Sequence, residues 1–224
     1  MHISRSLNNP RAVRALRESY DRRGVLVVDD AFAGPSITRL HGAATEIDRR
    51  GLPWKLRFKA SHYSYSHLRS CELQERLGDP LPAGSHLCDL LEEKLGCSLC
   101  KVARALHTEA VSAWCSRVTR TEIQPHLTLM LSRYGSGSFL APHDDASAGF
   151  AYQLAFILYL NPSWDPTWGG ALRVRSKEGW ETVQPIANRL VLFAPTSQTP
   201  HEVEPVFGDT PRFAVSGWYL GDGL

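Results

Sequence analysis

Hydrophobic positions near the start of the chain first repeat with the period of a helix and then run continuously, as in a strand. Val13, Leu16 and Tyr20 share one helical face, and Gly24 ends that stripe. The run 25–32 (VLVVDDAF) combines β-branched and other apolar residues, which is typical of a strand. The sequence therefore predicts a helix followed directly by a strand.

Three more helices and a long loop are predicted before the middle of the chain. Apolar residues spaced three and four apart predict a second helix from Ser36, a third from Ser85 to Gly96 and a fourth over 108–118. Residues 52–84 are rich in aromatic and basic side chains and are interrupted by prolines, so they predict an irregular loop region.

From residue 123 the pattern changes to short β-rich runs separated by turn residues. These runs are 126–134, 152–160, 170–176, 189–195 and 212–220. Such a series predicts an antiparallel barrel or a double-sheet jelly roll. We expect one domain of the α+β class over 1–224, in which 1–122 supply helical support and substrate loops and 123–224 form the jelly-roll core.

Composition and charge narrow the possible partners. The 224 residues carry a net charge of only +2, which gives no electrostatic indication of a nucleic-acid or membrane partner. No apolar run approaches the ~20 residues of a transmembrane helix. The N-terminal arginines resemble those of a transit peptide, but a capped helix explains them better.

The cysteines indicate a reducing compartment. Their number, five, is odd, and Cys97-x-x-Cys100 has no second pair at the spacing of a zinc ribbon. We therefore expect free thiols and a cytoplasmic protein.

The first candidate for chemistry is the sequence His143-Asp144-Asp145, which follows a glycine-rich turn. Side chains two residues apart on an extended segment point to the same side, so His143 and Asp145 can share a metal ion. His201, placed just after a strand, is the candidate third ligand. Two histidines and one carboxylate form the facial triad of non-haem Fe(II) oxygenases and leave three positions open. Taken singly, each residue is equally compatible with an ordinary loop or turn position.

Arg212 strengthens this interpretation because it opens a predicted strand eleven residues after His201. An arginine on the inside of a barrel can bind a carboxylate through two parallel hydrogen bonds. The alternative is an ion pair with a surface acid such as Asp209.

With these motifs in place, the stretch 126–220 resembles the prolyl 4-hydroxylase-like branch of the 2-oxoglutarate/Fe(II) oxygenases. The matching motifs are RYGSGSFLAPHDD, LAFILYLNPSWD, GGALRV, RLVLFAP, PHEVEPV and RFAVSGWYLG, in the family's order. The likeness is greatest to the ribosomal-protein prolyl hydroxylases, and it extends more distantly to the oxygen-sensing prolyl hydroxylases.

The resemblance implies a double-stranded β-helix (jelly-roll) core and a cofactor set of Fe(II), 2-oxoglutarate and O₂. It implies His143, Asp145 and His201 as iron ligands and Arg212 as the residue that binds the distal carboxylate of 2-oxoglutarate. The expected reaction is hydroxylation of an unactivated C–H bond, with release of succinate and CO₂.

The resemblance also suggests Tyr134 and Tyr159 as partners of the same carboxylate. Alternation agrees with this suggestion, since it places Met130, Ser132 and Tyr134 on one face of their strand, away from the leucines. Tyr159 likewise shares a face with Ile157. The alternative role for both tyrosines is a core aromatic with a satisfied hydroxyl group.

The substrate is left open between a free amino acid or small metabolite and a prolyl residue in a peptide or protein. The ribosomal-protein hydroxylases carry a second jelly-roll domain, and none follows the first one here, which favours a small molecule. A biosynthetic tailoring oxygenase that performs desaturation or cyclisation is the alternative. A non-catalytic jelly-roll binding module is the least favoured hypothesis, because the triad and Arg212 are complete.

Two basic regions are candidates for substrate contact. Residues 54–70 can form a lid over an anionic or amino-acid-like substrate, or an ordinary surface loop. Arg173 and Arg175 can meet a substrate carboxylate, or can pair with surface acids.

Overall fold

The computed structural model of the chain describes residues 2–49, 55–59, 62–69, 105–106, 108–123, 127–146 and 152–221. The predicted third helix lies outside the described residues, as do Cys71, Cys88, Cys97 and Cys100 and part of the predicted loop 52–84.

Three α-helices and one 3-10 helix (Pro166–Trp168) are described, and the α-helices fall where the sequence predicts them. The α-helices are α1 (Pro10–Arg23), α2 (Ser36–Arg49) and α3 (Glu109–Thr119). The side chain of Asn9 accepts a hydrogen bond from Ala12 N at the start of α1, and Gly24 ends the helix with φ 72°. A cap at each end defines the length of α1 and delivers the chain directly into the first long strand.

Thirteen strands lie within the described residues. They are β1 (His2–Ile3), β2 (Val25–Val28), β3 (Phe32–Ala33), β4 (Lys55–Lys59), β5 (Tyr63–Arg69), β6 (Leu127–Tyr134), β7 (Phe139–His143), β8 (Tyr152–Tyr159), β9 (Leu172–Ser176), β10 (Gly179–Val183), β11 (Leu190–Phe193), β12 (His201–Val203) and β13 (Arg212–Leu220).

These strands form a double-stranded β-helix core, as predicted. Neighbouring strands follow the order β10-β9-β12-β7-β5-β6-β13-β8-β11-β2, with β4 paired to β5, and every pairing is antiparallel. β5 is hydrogen-bonded to both β6 and β7 and therefore joins the two halves of the sheet. The small strands β1 and β3 pair separately.

The two faces of β8 show where the core lies. Leu154, Phe156 and Leu158 belong to a hydrophobic cluster that also contains apolar residues of all three helices. The alternate residues Ala155, Ile157 and Tyr159 pack with residues of β9 and β11 in a second cluster, between the layers of sheet. The helices therefore support the outer face of the long sheet, and the inner face is left for a site.

Two predictions about the first half are wrong in detail. The strand predicted over 25–32 divides into β2 and β3, because Asp30 adopts a left-handed conformation with φ 51° between them. The described part of the predicted loop 52–84 contains the hairpin β4–β5, in which Arg57 faces Tyr65. Aromatic residues and serines alternate in the sequence YSYS at the start of β5, and this period of two was the available signal.

No described helix combines the length and apolar character that crossing a bilayer requires. The expectation of one domain, with helical support and substrate loops in 1–122 and the jelly-roll core in 123–224, stays a prediction.

Candidate metal centre

Two histidines meet across a pair of neighbouring strands. His143 is the last residue of β7, His201 is the first residue of β12, and the two are direct register partners. Their ring centroids are 4.2 Å apart. The structure thus brings the two predicted histidines together, although His201 begins a three-residue strand of its own and does not simply follow one.

Asp145 completes the cluster from the bend just after β7. Its Oδ1 lies 3.7 Å from His143 Nε2, and its Oδ2 lies 3.6 Å from His201 Nε2. These distances are too long for hydrogen bonds. One donor atom from each residue falls within 4.8 Å of the other two, which suits three ligands of one ion. The adjacent Asp144 instead accepts a hydrogen bond from Ala146 N at 3.2 Å, within the turn.

Backbone carbonyls orient both imidazole rings. His143 Nδ1 lies 2.9 Å from Ala141 O, and His201 Nδ1 lies 3.2 Å from Thr199 O. A proton on each Nδ1 satisfies these carbonyls and leaves the Nε2 lone pair free for a metal. Burial, assisted by the nearby His143, lowers the pKa of His201 to about 4. His201 is therefore neutral at physiological pH, which is the form that binds a metal ion.

Arg212 is a buried cation in the same cavity. It opens β13 opposite Tyr134, and only 2% of its surface is exposed. No described carboxylate pairs with it, so the predicted alternative of a bridge to Asp209 is not observed. Arg212 Nε and Tyr159 Oη are both buried without a well-formed hydrogen bond. A buried charge without a carboxylate partner is costly, so Arg212 indicates a place for an anionic ligand.

Tyr134 and Tyr159 flank the guanidinium group of Arg212. Its Cζ lies 4.9 Å from the ring centroid of Tyr134 and 5.0 Å from that of Tyr159. Burial raises the pKa of both hydroxyl groups, and the charge of Arg212 only partly opposes this shift. Both hydroxyls therefore remain protonated at neutral pH and can donate hydrogen bonds to a carboxylate.

A single cavity of about 460 Å³ connects these groups. His143, Asp145, His201, Tyr134 and Arg212 all line it, and the ring of Tyr159 packs against Arg212. The volume is within the range of small-molecule sites. Two imidazole nitrogens and one carboxylate suit Fe(II) with open positions, and a buried arginine suits the distal carboxylate of 2-oxoglutarate, so the donor set fits the predicted cofactors.

The remaining walls are largely aromatic, and sequence reasoning did not assign them a role. Tyr65 stacks on Tyr134 with centroids 5.0 Å apart, and Tyr152 stacks on Trp218 with centroids 4.8 Å apart. Arg57, on β4, also lines the cavity. A signal for Trp218 was present in the sequence, because it lies on the same face of its predicted strand as Arg212.

The two arginines of β9 do not line the cavity. Arg173 binds Glu202 with a nitrogen–oxygen distance of 2.8 Å, and its Cζ lies 5.2 Å from the centroid of the Trp180 ring. For Arg173 the structure therefore favours the predicted surface pair over a contact with substrate. Arg175 lies on an exposed position of the same strand.

Comparison with known proteins agrees with this geometry. Residues 129–220 match the model of the 2OG-Fe(II) oxygenase superfamily. The chain is 33% identical over 129 residues to mouse prolyl 3-hydroxylase OGFOD1 and 30% identical over 129 residues to human prolyl hydroxylase EGLN3. These matches cover 54% and 56% of this chain but only 23% and 53% of the relatives, so the chain spans about half or less of their length.

Solved structures show the same fold over nearly the whole chain. A prolyl-4-hydroxylase from Pseudomonas putida has a TM-score of 0.67 at 19% identity, over 94% of this chain and 100% of that chain. A prolyl hydroxylase from Trichoplax adhaerens, solved with a hypoxia-inducible factor peptide fragment, has a TM-score of 0.68 at 19% identity, over 94% and 89% of the two chains. The epimerase SnoN of nogalamycin biosynthesis has a TM-score of 0.67 at 14% identity, over 95% and 83%. Residues 129–220 therefore match the 2OG-Fe(II) oxygenase superfamily, and the chain is similar in sequence to prolyl hydroxylases.

Proposed function

We propose that the chain is a dioxygenase that couples oxidation of 2-oxoglutarate to hydroxylation of a C–H bond. His143, Asp145 and His201 hold Fe(II), and Arg212 binds the distal carboxylate of 2-oxoglutarate. One observation carries this assignment: a buried arginine without a carboxylate partner among the described residues lines the same cavity as a complete two-histidine, one-carboxylate cluster.

The chemistry divides between the cofactors and the protein. When bound, Fe(II) supplies the O₂ chemistry that converts 2-oxoglutarate to succinate and CO₂ and oxidises the substrate. Arg212 fixes the cosubstrate by its far end, and the protonated hydroxyls of Tyr134 and Tyr159 donate to the same carboxylate. Binding at the far end leaves the 2-oxo acid end directed toward the three ligands.

The protein also excludes water from the reacting groups. The stacked pairs Tyr65–Tyr134 and Tyr152–Trp218 line much of the cavity, and apolar residues such as Ile157 and Phe193 line more of it. An apolar wall strengthens the electrostatic contacts of Arg212, because there is less water to screen them.

We propose a prolyl residue in a peptide or protein as the substrate. The support is the similarity to prolyl hydroxylases at 30–33% identity, together with aromatic walls that suit a saturated ring. Arg57 is exposed and lines the cavity, where it can contact an acidic group of such a peptide. A free amino acid is the small-molecule alternative, and the same reaction hydroxylates it.

The proposed setting is the cytoplasm, without a nucleic-acid or membrane partner. The net charge of +2 and the odd number of cysteines support it. Cys115, the described cysteine, is a buried free thiol, which is compatible with a reducing compartment.

Succinate formation tests the proposal. The purified chain is incubated with Fe(II), 2-oxoglutarate and separate panels of prolyl peptides, free amino acids and small-molecule extracts. We expect succinate to exceed the substrate-free background with a prolyl peptide, and a mass increase of one oxygen on that peptide. Desaturation or cyclisation of a metabolite would support the tailoring alternative, and an absence of both metal binding and succinate would support a non-catalytic module. His143→Ala serves as the negative control.

A further inference from the structure

The indole of Trp218 reaches the carboxylate of the metal cluster. Its Nε1 donates a hydrogen bond to Asp145 Oδ2 at 2.8 Å. Trp218 lies in the middle of the sheet, paired in register with Ala155 of β8, and its ring stacks on Tyr152 with an interplanar angle of 17°. The donor is therefore held by both a strand and an aromatic neighbour.

Asp145 needs such a partner more than the two histidines do. Each histidine lies on a strand and has an Nδ1 contact to a backbone carbonyl. Asp145 lies in a bend beyond the end of β7, where no ladder of backbone hydrogen bonds fixes it. In the described part of the chain, Trp218 is the residue that donates a hydrogen bond to its side chain.

We propose that Trp218 is a positioning residue that holds Asp145 for binding of the metal through one oxygen. This inference rests on the proposed function. The N–H of Trp218 donates its hydrogen bond to Oδ2 of Asp145. Oδ1 of Asp145 has no hydrogen bond among the described residues, so Oδ1 is the oxygen available to the metal. A carboxylate that bound through both oxygens would use one of the three positions that the facial triad leaves open. Trp218 thereby keeps those positions available for the cosubstrate and O₂.

The test removes the N–H and keeps an aromatic ring. In the full chain, Trp218→Phe removes the donor, and replacing Trp218 with benzothienylalanine keeps the bicyclic shape while substituting sulfur for the N–H group. The matched control is Trp164→Phe, since the Trp164 indole also donates a hydrogen bond, at 2.9 Å, but to Gly169 O, and it does not line the cavity.

The readout is the affinity for Mn(II), a redox-stable probe of the Fe(II) site, measured by calorimetry without turnover. Loss of the partner of a metal-binding side chain typically weakens metal affinity about 10- to 100-fold. We expect that loss in both Trp218 variants, and an affinity within about twofold of the original in Trp164→Phe.

Two results would overturn the inference. One is unchanged Mn(II) affinity in the benzothienylalanine variant, whose shape is preserved. The other is an equal loss in Trp164→Phe, which would mean that general destabilisation explains the effect. Failure of the proposed function looks different, because the unmodified chain itself would then bind no Mn(II) at the cluster and form no succinate.

Discussion

His143 and His201 are register partners on the antiparallel strands β7 and β12, with ring centroids 4.2 Å apart. The backbone pairing of these strands therefore sets the distance between two of the three candidate ligands before any metal binds. A preformed pair of ligands loses little conformational freedom on binding. A metal ion held there also links two strands of the native fold and is absent from the unfolded chain.

Metal binding should consequently stabilise the native protein. We expect Mn(II) to raise the melting temperature, and we expect His143→Ala to abolish this rise, because one of three ligands is lost. Differential scanning fluorimetry with and without Mn(II) measures it. Asp144→Asn is the control, since an asparagine side chain can still accept the hydrogen bond from Ala146 N. A rise that persists in His143→Ala, or that disappears in Asp144→Asn, contradicts the assignment of ligands.

Replacing Arg212 with methionine should separate stability from cosubstrate binding. Removing a buried charge that lacks a carboxylate partner also removes the cost of keeping that charge away from water. We therefore expect the melting temperature of Arg212→Met without 2-oxoglutarate to stay the same or rise, while 2-oxoglutarate affinity falls. The loss of about 1.5–3 kcal/mol of charged hydrogen bonding corresponds to about 10- to 150-fold in affinity.

Calorimetry with 2-oxoglutarate and thermal melts of the protein alone make this comparison. Arg173→Met, which removes a partly exposed pair with Glu202, should leave 2-oxoglutarate affinity unchanged and alter stability by at most about 1 kcal/mol. A marked destabilisation of Arg212→Met with normal affinity would mean that Arg212 has a structural partner instead.

Tyr159→Phe should also weaken binding of 2-oxoglutarate without lowering stability, and the loss of affinity should be smaller than in Arg212→Met. Tyr159 Oη is buried without a well-formed hydrogen bond, so its removal should not lower stability. Its hydrogen bond to the cosubstrate, about 1 kcal/mol, should be lost, which raises the KM for 2-oxoglutarate about fivefold. Tyr20→Phe is the control. It should lower stability and leave the KM for 2-oxoglutarate unchanged, because the Tyr20 hydroxyl contacts the backbone of Ala194 and does not line the cavity. An unchanged KM in Tyr159→Phe would exclude the hydroxyl group from cosubstrate binding.

Gly170 determines how closely the chain approaches Arg212. Its φ is +68°, and a Cβ there would lie 3.2 Å from Arg212 Cδ and 3.0 Å from Val206 Cγ2. Gly170→Ala should cost about 1–2 kcal/mol for the left-handed backbone and should also weaken 2-oxoglutarate binding by displacing Arg212. Gly34→Ala is the control, since φ is +85° but no atom lies within 4 Å of the added carbon. Equal effects of the two substitutions on 2-oxoglutarate affinity would contradict this account.

Cys115 should make stability depend on pH under alkaline conditions. Burial raises the pKa of its thiol to about 12, whereas a thiol in the unfolded chain ionises near ~8.5. Between these values unfolding releases a proton, so the free energy of unfolding falls as pH rises. Urea denaturation at pH 8 and pH 10 should show a smaller decrease in Cys115→Ala than in the original chain. Equal decreases would mean that the thiol is not shielded from solvent.

The spacing of hydrophobic residues predicted where most strands and helices lie and which of their faces are buried. The alternation along β8 separates Phe156, which faces the helices, from Tyr159, which faces the interior, and the structure has both orientations. The strand that begins with Arg212 also has its predicted start. In each case the relevant signal lies within a few neighbouring residues.

Features that depend on contacts between distant segments were not predictable in the same way. β12 has three residues, too few for a periodic signal, and its pairing with β7 across 58 positions, from His143 to His201, depends on the whole sheet. The hydrogen bond from Trp218 to Asp145 likewise joins a strand to a bend that is remote in sequence. The segment that forms the hairpin β4–β5 is rich in basic and aromatic residues, a composition that is also typical of surface loops and therefore conceals its two strands.

The double pairing of β5 limits how this protein can be redesigned for new substrates. The backbone of β5 bonds β7 through Tyr63 and Ser64, and the carbonyl of His62 accepts a hydrogen bond from Ala141 N, two residues before His143. A library that alters the backbone at 62–64 would therefore disturb a metal ligand along with the substrate wall. Among the described strands β4 pairs with β5 alone, so the side chains of 56–59 are the positions to randomise first.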